Sequence, residues 1–302
     1  GSATSTVVSN GGSMTVYEGG VATSTTIKTG GIINGFLVLN ENYYKSGVHV
    51  SNAYINASAT LYGGQTATST IVSSGGLLTV LSSGSAVSTE VTSGSLTVAI
   101  SGFAGETEVT NGGLLIVSSG GNATSTVVSN SGMLTVDYYG NAVSTVVTSG
   151  LMTVNGSAIS TTLNSGGSML VSSGGNAIST VVNANGSMTI YDSGFATSTE
   201  VNINGVLTVS SGGSAVSTVV NADGTMTVYD SGFATSTTIK SGGSLNGFLF
   251  LEDTYHESGV HVSNAYVNAS ATLYGGQTAT SAVVNSGGVL KVYSGGTATA
   301  EM

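Results

Sequence analysis

The side chains best suited to chemistry in this chain gather in one short stretch, His256 and His261 beside Glu252, Asp253 and Glu257. Imidazoles and carboxylates at such close spacing are the donor set of a divalent metal site. A near copy of the stretch lies 212 residues earlier, with Tyr44, His49, Asn40, Glu41 and Lys45 at the matching places. Two donors are lost there and a cation is gained, so metal binding is not the expectation. Glu90, Glu106 and Glu108 form the other concentration of carboxylates. They read as a solvated acidic patch, on which a calcium ion would be held only loosely. Polysaccharide hydrolysis or elimination needs paired carboxylates or a basic residue set in a groove. The chain has no arginine, and Lys28, Lys45, Lys240 and Lys291 are widely scattered. No catalytic, cofactor-binding or metal-binding residue is therefore assigned.

Composition narrows the partners. Four lysines against fourteen carboxylates leave a net charge of −10. Nothing is present to neutralise phosphates, which excludes nucleic acid. Charged residues make up only 6% of the chain, where a soluble domain carries roughly 25%. With no cysteine, neither a disulfide nor a thiolate centre holds the fold. No run approaches eighteen consecutive apolar residues, so direct membrane insertion of a helix is not expected. The beginning has no signal-peptide pattern. Gly1-Ser2 resembles a cloning remnant, and both ends fall in mid-repeat. The expectation is a segment cut from a longer protein.

What positions any functional residue here is a repeat. The phrase Ala-Xaa-Ser-Thr-aliphatic returns from Ala3 to Ala298 at steps of 19 residues, with single steps of 18 after Ala86 and 16 after Ala142. Two longer steps of 45 residues follow Ala22 and Ala234, each read as two units plus seven extra residues. About sixteen copies of so short a unit make a solenoid rather than a globule with a buried catalytic centre. In the copy from Ala177, two runs alternate with period two, Ile178-Ser179-Thr180-Val181-Val182 and Ser187-Met188-Thr189-Ile190-Tyr191. Clusters of Gly, Asn and Asp separate them, giving strand, turn, strand, turn. Four columns are expected inside: a threonine (Thr126, Thr180, Thr218), the aliphatic residue two beyond it (Val128, Val182, Val220), and two columns of the second run (Leu134, Met188, then Val136, Ile190). The column between threonine and valine, which holds Glu90, Glu108 and Glu200, is expected outside.

The predicted fold is all-β: a right-handed parallel β-helix of about sixteen coils, its hand set by the usual chirality of parallel crossovers, with a kink near Ala-Xaa that allows a flattened or three-faced section. Residues 1–302 form one domain, with insertions near 34–64 and 246–276. Those inserts are nearly copies of each other. Loops that leave a solenoid are common binding features. Tyr43, Tyr44, Tyr255 and His256 are the candidate binding-loop residues, supplying aromatic area.

Stretches such as Ser118-Ser119-Gly120-Gly121-Asn122-Ala123-Thr124-Ser125-Thr126-Val127-Val128 resemble the repeats of AIDA-type self-associating autotransporter adhesins. So does the stretch from Val283 to Gly296. The likeness extends over nearly the whole chain. It implies a β-helical passenger displayed on, or released from, the outer face of a Gram-negative outer membrane. The implied function is cell–cell aggregation, biofilm formation or host adhesion. The implied partners are like passengers, host glycans or surface proteins, and an autotransporter heptosyltransferase that glycosylates repeat serines. Carried over by position, the acceptors are Ser5, Ser24, Ser69, Ser88, Ser125, Ser144, Ser160, Ser179, Ser198, Ser217, Ser236 and Ser281, with Glu106 interrupting the series. Two other readings stand beside this one: a carbohydrate-active β-helix, and a passive spacer.

Overall fold

The computed structural model describes residues 1–17, 21–23, 26–28, 31–35, 49–52, 54–55, 58–61, 63–229, 231–235, 237–240, 242–247, 261–263, 266–267, 270–273, 275–276, 278–284, 286 and 288–299. Every described strand pairing is parallel, and no helix occurs among the described residues. The chain divides into two compact units, Gly1–Ser157 and Ala158–Met302. Each is a parallel β-solenoid whose coils carry three short strands. In the first unit one coil consists of a first strand Asn122–Thr124, a second Val127–Ser129 and a third Met133–Val136. In the second unit an equivalent coil has Asn176–Ile178, Val181–Val182 and Ser187–Ile190. Like strands stack in register, as Ala123 does on Ala142 and Met188 on Leu207.

The sequence pattern suggests two runs per coil, but the first of them is broken. Its serine takes a left-handed backbone, φ 57° at Ser179, and the chain turns a corner there. That corner resets the alternation of side chains. Unbroken period two from the inward threonine would turn the alanine outward. Instead Ala86, Ala104, Ala123, Ala142, Ala158 and Ala177 are fully buried. The alanine column therefore joins the four expected core columns, which are buried as anticipated at Thr180, Val182, Met188 and Ile190.

Variation in repeat length is absorbed by the turns. In the coil of Ala86, Ser93-Gly94 makes a shorter turn, yet Leu77 still pairs with Ser95 and Leu78 with Leu96. Glycine is required on steric grounds at Gly113, where a Cβ would collide with the Val91 carbonyl oxygen of the coil before.

The two 45-residue steps differ from the sequence arithmetic. Ile33, on a third strand, is the register partner of Val50, and Val50 is in turn the partner of Ala67 on a first strand. The second unit repeats this: Leu245 pairs with Val262, and Val262 with Ala279. From Ile32–Gly35 to His49–Ser51, and from Ser244–Gly247 to His261–Ser263, the chain returns to the face it left, where a regular coil goes only from one face to the next. Two coils with seven residues looped out would have kept first strands over first strands. Asn52 confirms where the regular pattern resumes. It has φ 51° and donates its backbone N–H to the Thr68 carbonyl at 3.0 Å, as Ser69 does to Val87 one coil later. Among the described residues the second strands stack six deep in the first unit and five deep in the second, against the sixteen copies expected. Outside those stacks they pair only in twos, Val7–Val8 with Thr26–Ile27 and Tyr266–Val267 with Val283–Val284.

Candidate functional site: the serine edge

Three corners separate the strands of a coil, and a left-handed residue sits at nearly all of those described, the Asn155-Gly156 corner being an exception. After the second strand the position is filled by Gly11, Gly75, Ser93, Gly112, Ser131, Ser149, Gly166, Asn185, Asn204, Asp223 or Gly242. After the third strand it is filled by Ser83, Ser101, Gly120, Tyr139, Gly174, Ser193, Gly212 or Ser231. Such mixtures are what a left-handed backbone selects, since Gly carries no Cβ and Asn or Asp tolerate the region. The corner after the first strand is different. Ser5, Ser69, Ser88, Ser125, Ser144, Ser160, Ser179, Ser198, Ser217 and Ser281 occupy it with φ between 50° and 57°. Among the described residues only Asn52 and Glu106 (φ 52°) replace serine there, and glycine never does.

The corner is fixed from both sides. Its backbone N–H is donated to the next coil, Ser125 to the Val143 carbonyl and Ser179 to the Thr197 carbonyl, both at 2.9 Å. The threonine that follows is buried, from Thr70 through Thr107 in the first unit and from Thr161 to Thr218 in the second. With backbone and following side chain both committed, the serine Cβ projects into solvent. Ser5, Ser69, Ser88, Ser125, Ser144, Ser160, Ser179, Ser198 and Ser217 are exposed, and Ser281 is half-buried. The hydroxyls of Ser125, Ser144, Ser160, Ser179, Ser198 and Ser217 have no hydrogen-bond partner among the described residues. Ser88 differs, because its Oγ donates to Glu106 Oε2 at 2.8 Å. The serines thus face solvent as expected, but as corner residues rather than as the outward positions of a strand.

The remaining candidates are distributed differently. Ser24, Ser236, Tyr43, Tyr44, Tyr255 and His256 lie outside the described residues, as do Glu252, Asp253 and Glu257. Glu90 and Glu108 are register partners on adjacent coils, and Glu106 stands on the corner just before Glu108. No group of three or more metal-ligating side chains comes together among the described residues. Ser198, Thr199, Glu200, Ser217, Val219 and Lys240 line an open groove of about 340 Å³. Two serine corners border it, so their hydroxyls are accessible to a large reactant. Sequence reasoning missed the asparagine ladder beside this edge. Asn183 donates to Asn164 Oδ1 at 3.0 Å, Asn202 to Asn183 at 2.9 Å and Asn221 to Asn202 at 2.6 Å. Its signal was available: asparagine recurs six residues after the alanine in four successive copies.

Residues 152–205 match a family model described as "Adhesin of bacterial autotransporter system, probable stalk". Among solved structures, a TibC-catalyzed, hyper-glycosylated TibA fragment is similar at 33% identity and a TM-score of 0.67. That alignment covers 98% of this chain and 99% of the fragment. An alginate lyase of polysaccharide lyase family 6 is 9% identical, covering 98% of this chain and 75% of the lyase, but its TM-score is 0.28. The receptor-binding domain of the Siphovirus 9NA tailspike is 10% identical over 98% of this chain and 71% of its own, at 0.22. Neither likeness carries an argument about activity. A comparison with curated protein sequences found no match.

Proposed function

The chain belongs to the AIDA-type autotransporter adhesins, and from that membership we propose that its serine edge is an acceptor array for O-linked sugar. It is a passenger segment of a bacterial surface adhesin, with an adhesive rather than a catalytic role. The observation that carries the proposal is serine's retention at a left-handed corner. A position selected for its backbone alone varies among residue types, as the other two corners of the same coils do, where serine alternates with glycine, asparagine, aspartate or tyrosine. Serine in that region costs about 1–2 kcal/mol relative to glycine, so the hydroxyl itself is what the position keeps. The similar TibA fragment is glycosylated by TibC. A corresponding glycosyltransferase, of the heptosyltransferase class, is the partner proposed here. The serine Oγ attacks the anomeric carbon of a nucleotide-activated sugar. The nucleoside diphosphate departs and the hydroxyl proton passes to a base of the transferase.

Peptide mapping by mass spectrometry, after co-expression with an autotransporter heptosyltransferase, tests this reading. Sugars should lie on Ser125, Ser144, Ser179, Ser198 and Ser217. Modification confined to serines of the other corners, such as Ser93 and Ser101, would overturn it. Self-association of like passengers is the second part of the proposal, supported by the low charge of the surface. With 6% charged residues, two copies meet little like-charge repulsion, and each hydrogen bond between Ser, Thr and Asn side chains contributes about 0.5–1.5 kcal/mol. Sedimentation across a concentration series should show reversible association. A strict monomer at the highest concentration would remove self-association from the properties of this segment.

A further inference from the structure

We infer that each insert moves the serine edge round its solenoid by one face, so that each unit presents acceptor hydroxyls along two edges instead of one. In the first unit, Ser5 follows a first strand, Ser2–Thr4, that among the described residues pairs with Val21–Thr23 alone. Ser69 and Ser88 follow first strands that stack, through His49–Ser51, on the third strands Ile32–Gly35 and Ser13–Val16. They therefore lie where those third strands end: continuing the register of Thr68, Ser51, Asn34 and Thr15 by one residue places Ser69 over Gly35 and Val16. The residue after Val16 is Tyr17, which is 79% exposed. The serine edge beyond the insert thus continues the edge that Tyr17 occupies before it, one face away from the edge of Ser5.

The second unit reproduces the displacement independently. Ser198 and Ser217 follow Phe195–Thr197 and Ser214–Val216, which stack on one another and on Phe233–Thr235. Ser281 follows Thr278–Thr280, which stacks through His261–Ser263 on the third strands Ser244–Gly247 and Thr225–Val228. The residue after that last strand is Tyr229, 56% exposed. Ser281 accordingly takes over the edge of Tyr229 rather than continuing the edge of Ser217. The same permutation of columns arises in both units from nearly identical inserts, so it is encoded rather than incidental. A straight partner lying along one edge meets serines on only one side of an insert. Sugars on the two sides point away from each other. The consequence for sugars rests on the acceptor reading above, but the displacement of the edge does not.

Spin labels test the displacement without any modification of serine. The chain has no cysteine, so paired nitroxides attach only where cysteines are introduced. Asn246 and Ser263 are register partners, and stacked strands lie about 4.8 Å apart. Labels on Asn246→Cys with Ser263→Cys should show strong dipolar broadening at room temperature. Labels on Thr235→Cys with Ser263→Cys should not, because Thr235 belongs to the neighbouring face. The reverse result would mean that first strands stack on first strands and the insert is a looped-out bulge, which overturns the inference. A second variant replaces residues 248–260 by Tyr-Asp-Ser-Gly, the turn that follows Val228. There the broadening should pass from the Asn246 pair to the Thr235 pair. Persistence at Asn246 in the shortened chain would also overturn the inference. If sugars are absent from the serines while the labels behave as expected, only the acceptor reading fails.

Discussion

Two side chains of each coil stand side by side under opposite constraints: the exposed serine at the corner and the buried threonine after it. The serine is held in a backbone region that penalises any Cβ, and glycine's larger loss of backbone entropy on folding offsets part of that penalty, so Ser179→Gly should stabilise the fold by roughly 0.5–1 kcal/mol. Ser179→Val should destabilise it by more than about 1 kcal/mol, since a β-branched side chain fits that region worst. Chemical denaturation of the unglycosylated protein measures both. A loss of stability in the glycine variant would show that the hydroxyl serves the fold rather than a reactant. The threonine presents the opposite case. Thr89, Thr107, Thr126 and Thr145 in the first unit, and Thr161, Thr180, Thr199 and Thr218 in the second, bury an Oγ1 that has no hydrogen-bond partner. A buried hydroxyl left unpaired costs about 1–3 kcal/mol. Thr180→Val replaces the hydroxyl by a methyl group of nearly the same size. It should raise the midpoint of denaturation, by about 1 kcal/mol in free energy. A fall of similar size would mean that the Thr180 hydroxyl is satisfied in solution.

At the scale of strands and ladders, stability comes from contacts between successive coils. The asparagine ladder of the second unit has four members, and its last, Asn221, also donates to Glu200 Oε1 at 2.8 Å. Asn202 sits in the middle, donating to Asn183 and accepting from Asn221. Asn202→Ala removes both bonds, leaving Asn183 only its bond to Asn164 and Asn221 only its bond to Glu200, a loss of about 1–3 kcal/mol. Asn164→Ala, at the end of the ladder, should cost less because it breaks one bond. Equal losses would show that the ladder contributes through propensity at the turn rather than through its hydrogen bonds. Sequence legibility divides along the same line. The columns of Val128, Leu134 and Val136 were readable because strand parity holds within each strand. The alanine column was not, and of the serine corner only a kink near Ala-Xaa was, because a left-handed residue at one position reverses parity without changing the composition of the run. The inserts were harder still. Thirteen residues, 36–48, can cross one face with slack or encircle the solenoid once, and length alone does not choose between them. The choice is visible only in which strand Val50 pairs with.

For the molecule as a whole, the coil is the unit of exchange. One coil buries too few aliphatic side chains to offset the ordering of its own backbone, roughly 1–2 kcal/mol per residue, so each coil is stable only against its neighbours. Removing one whole coil should then leave its neighbours able to close on each other. Deletion of residues 177–195 joins Asn176 to Ala196 and restores the repeat phrase without a break. Asn164 then stands under Asn202, and Met169 under Leu207, in the columns they already occupy. The shortened protein should keep its β-sheet circular dichroism and unfold cooperatively close to the parent temperature. Deletion of residues 177–186 alone leaves a third strand where a first strand is needed, and it should lose the cooperative transition. If both deletions behave alike, stacking in register is not what holds the chain. The whole-coil deletion also separates adhesion from spacing. Bacteria displaying it should still aggregate if the segment only holds other parts of the adhesin away from the cell. Ser→Ala at all the corners should abolish aggregation only if the edge itself is adhesive. The two results together assign the adhesive role either to the array of corners or to the length of the stack.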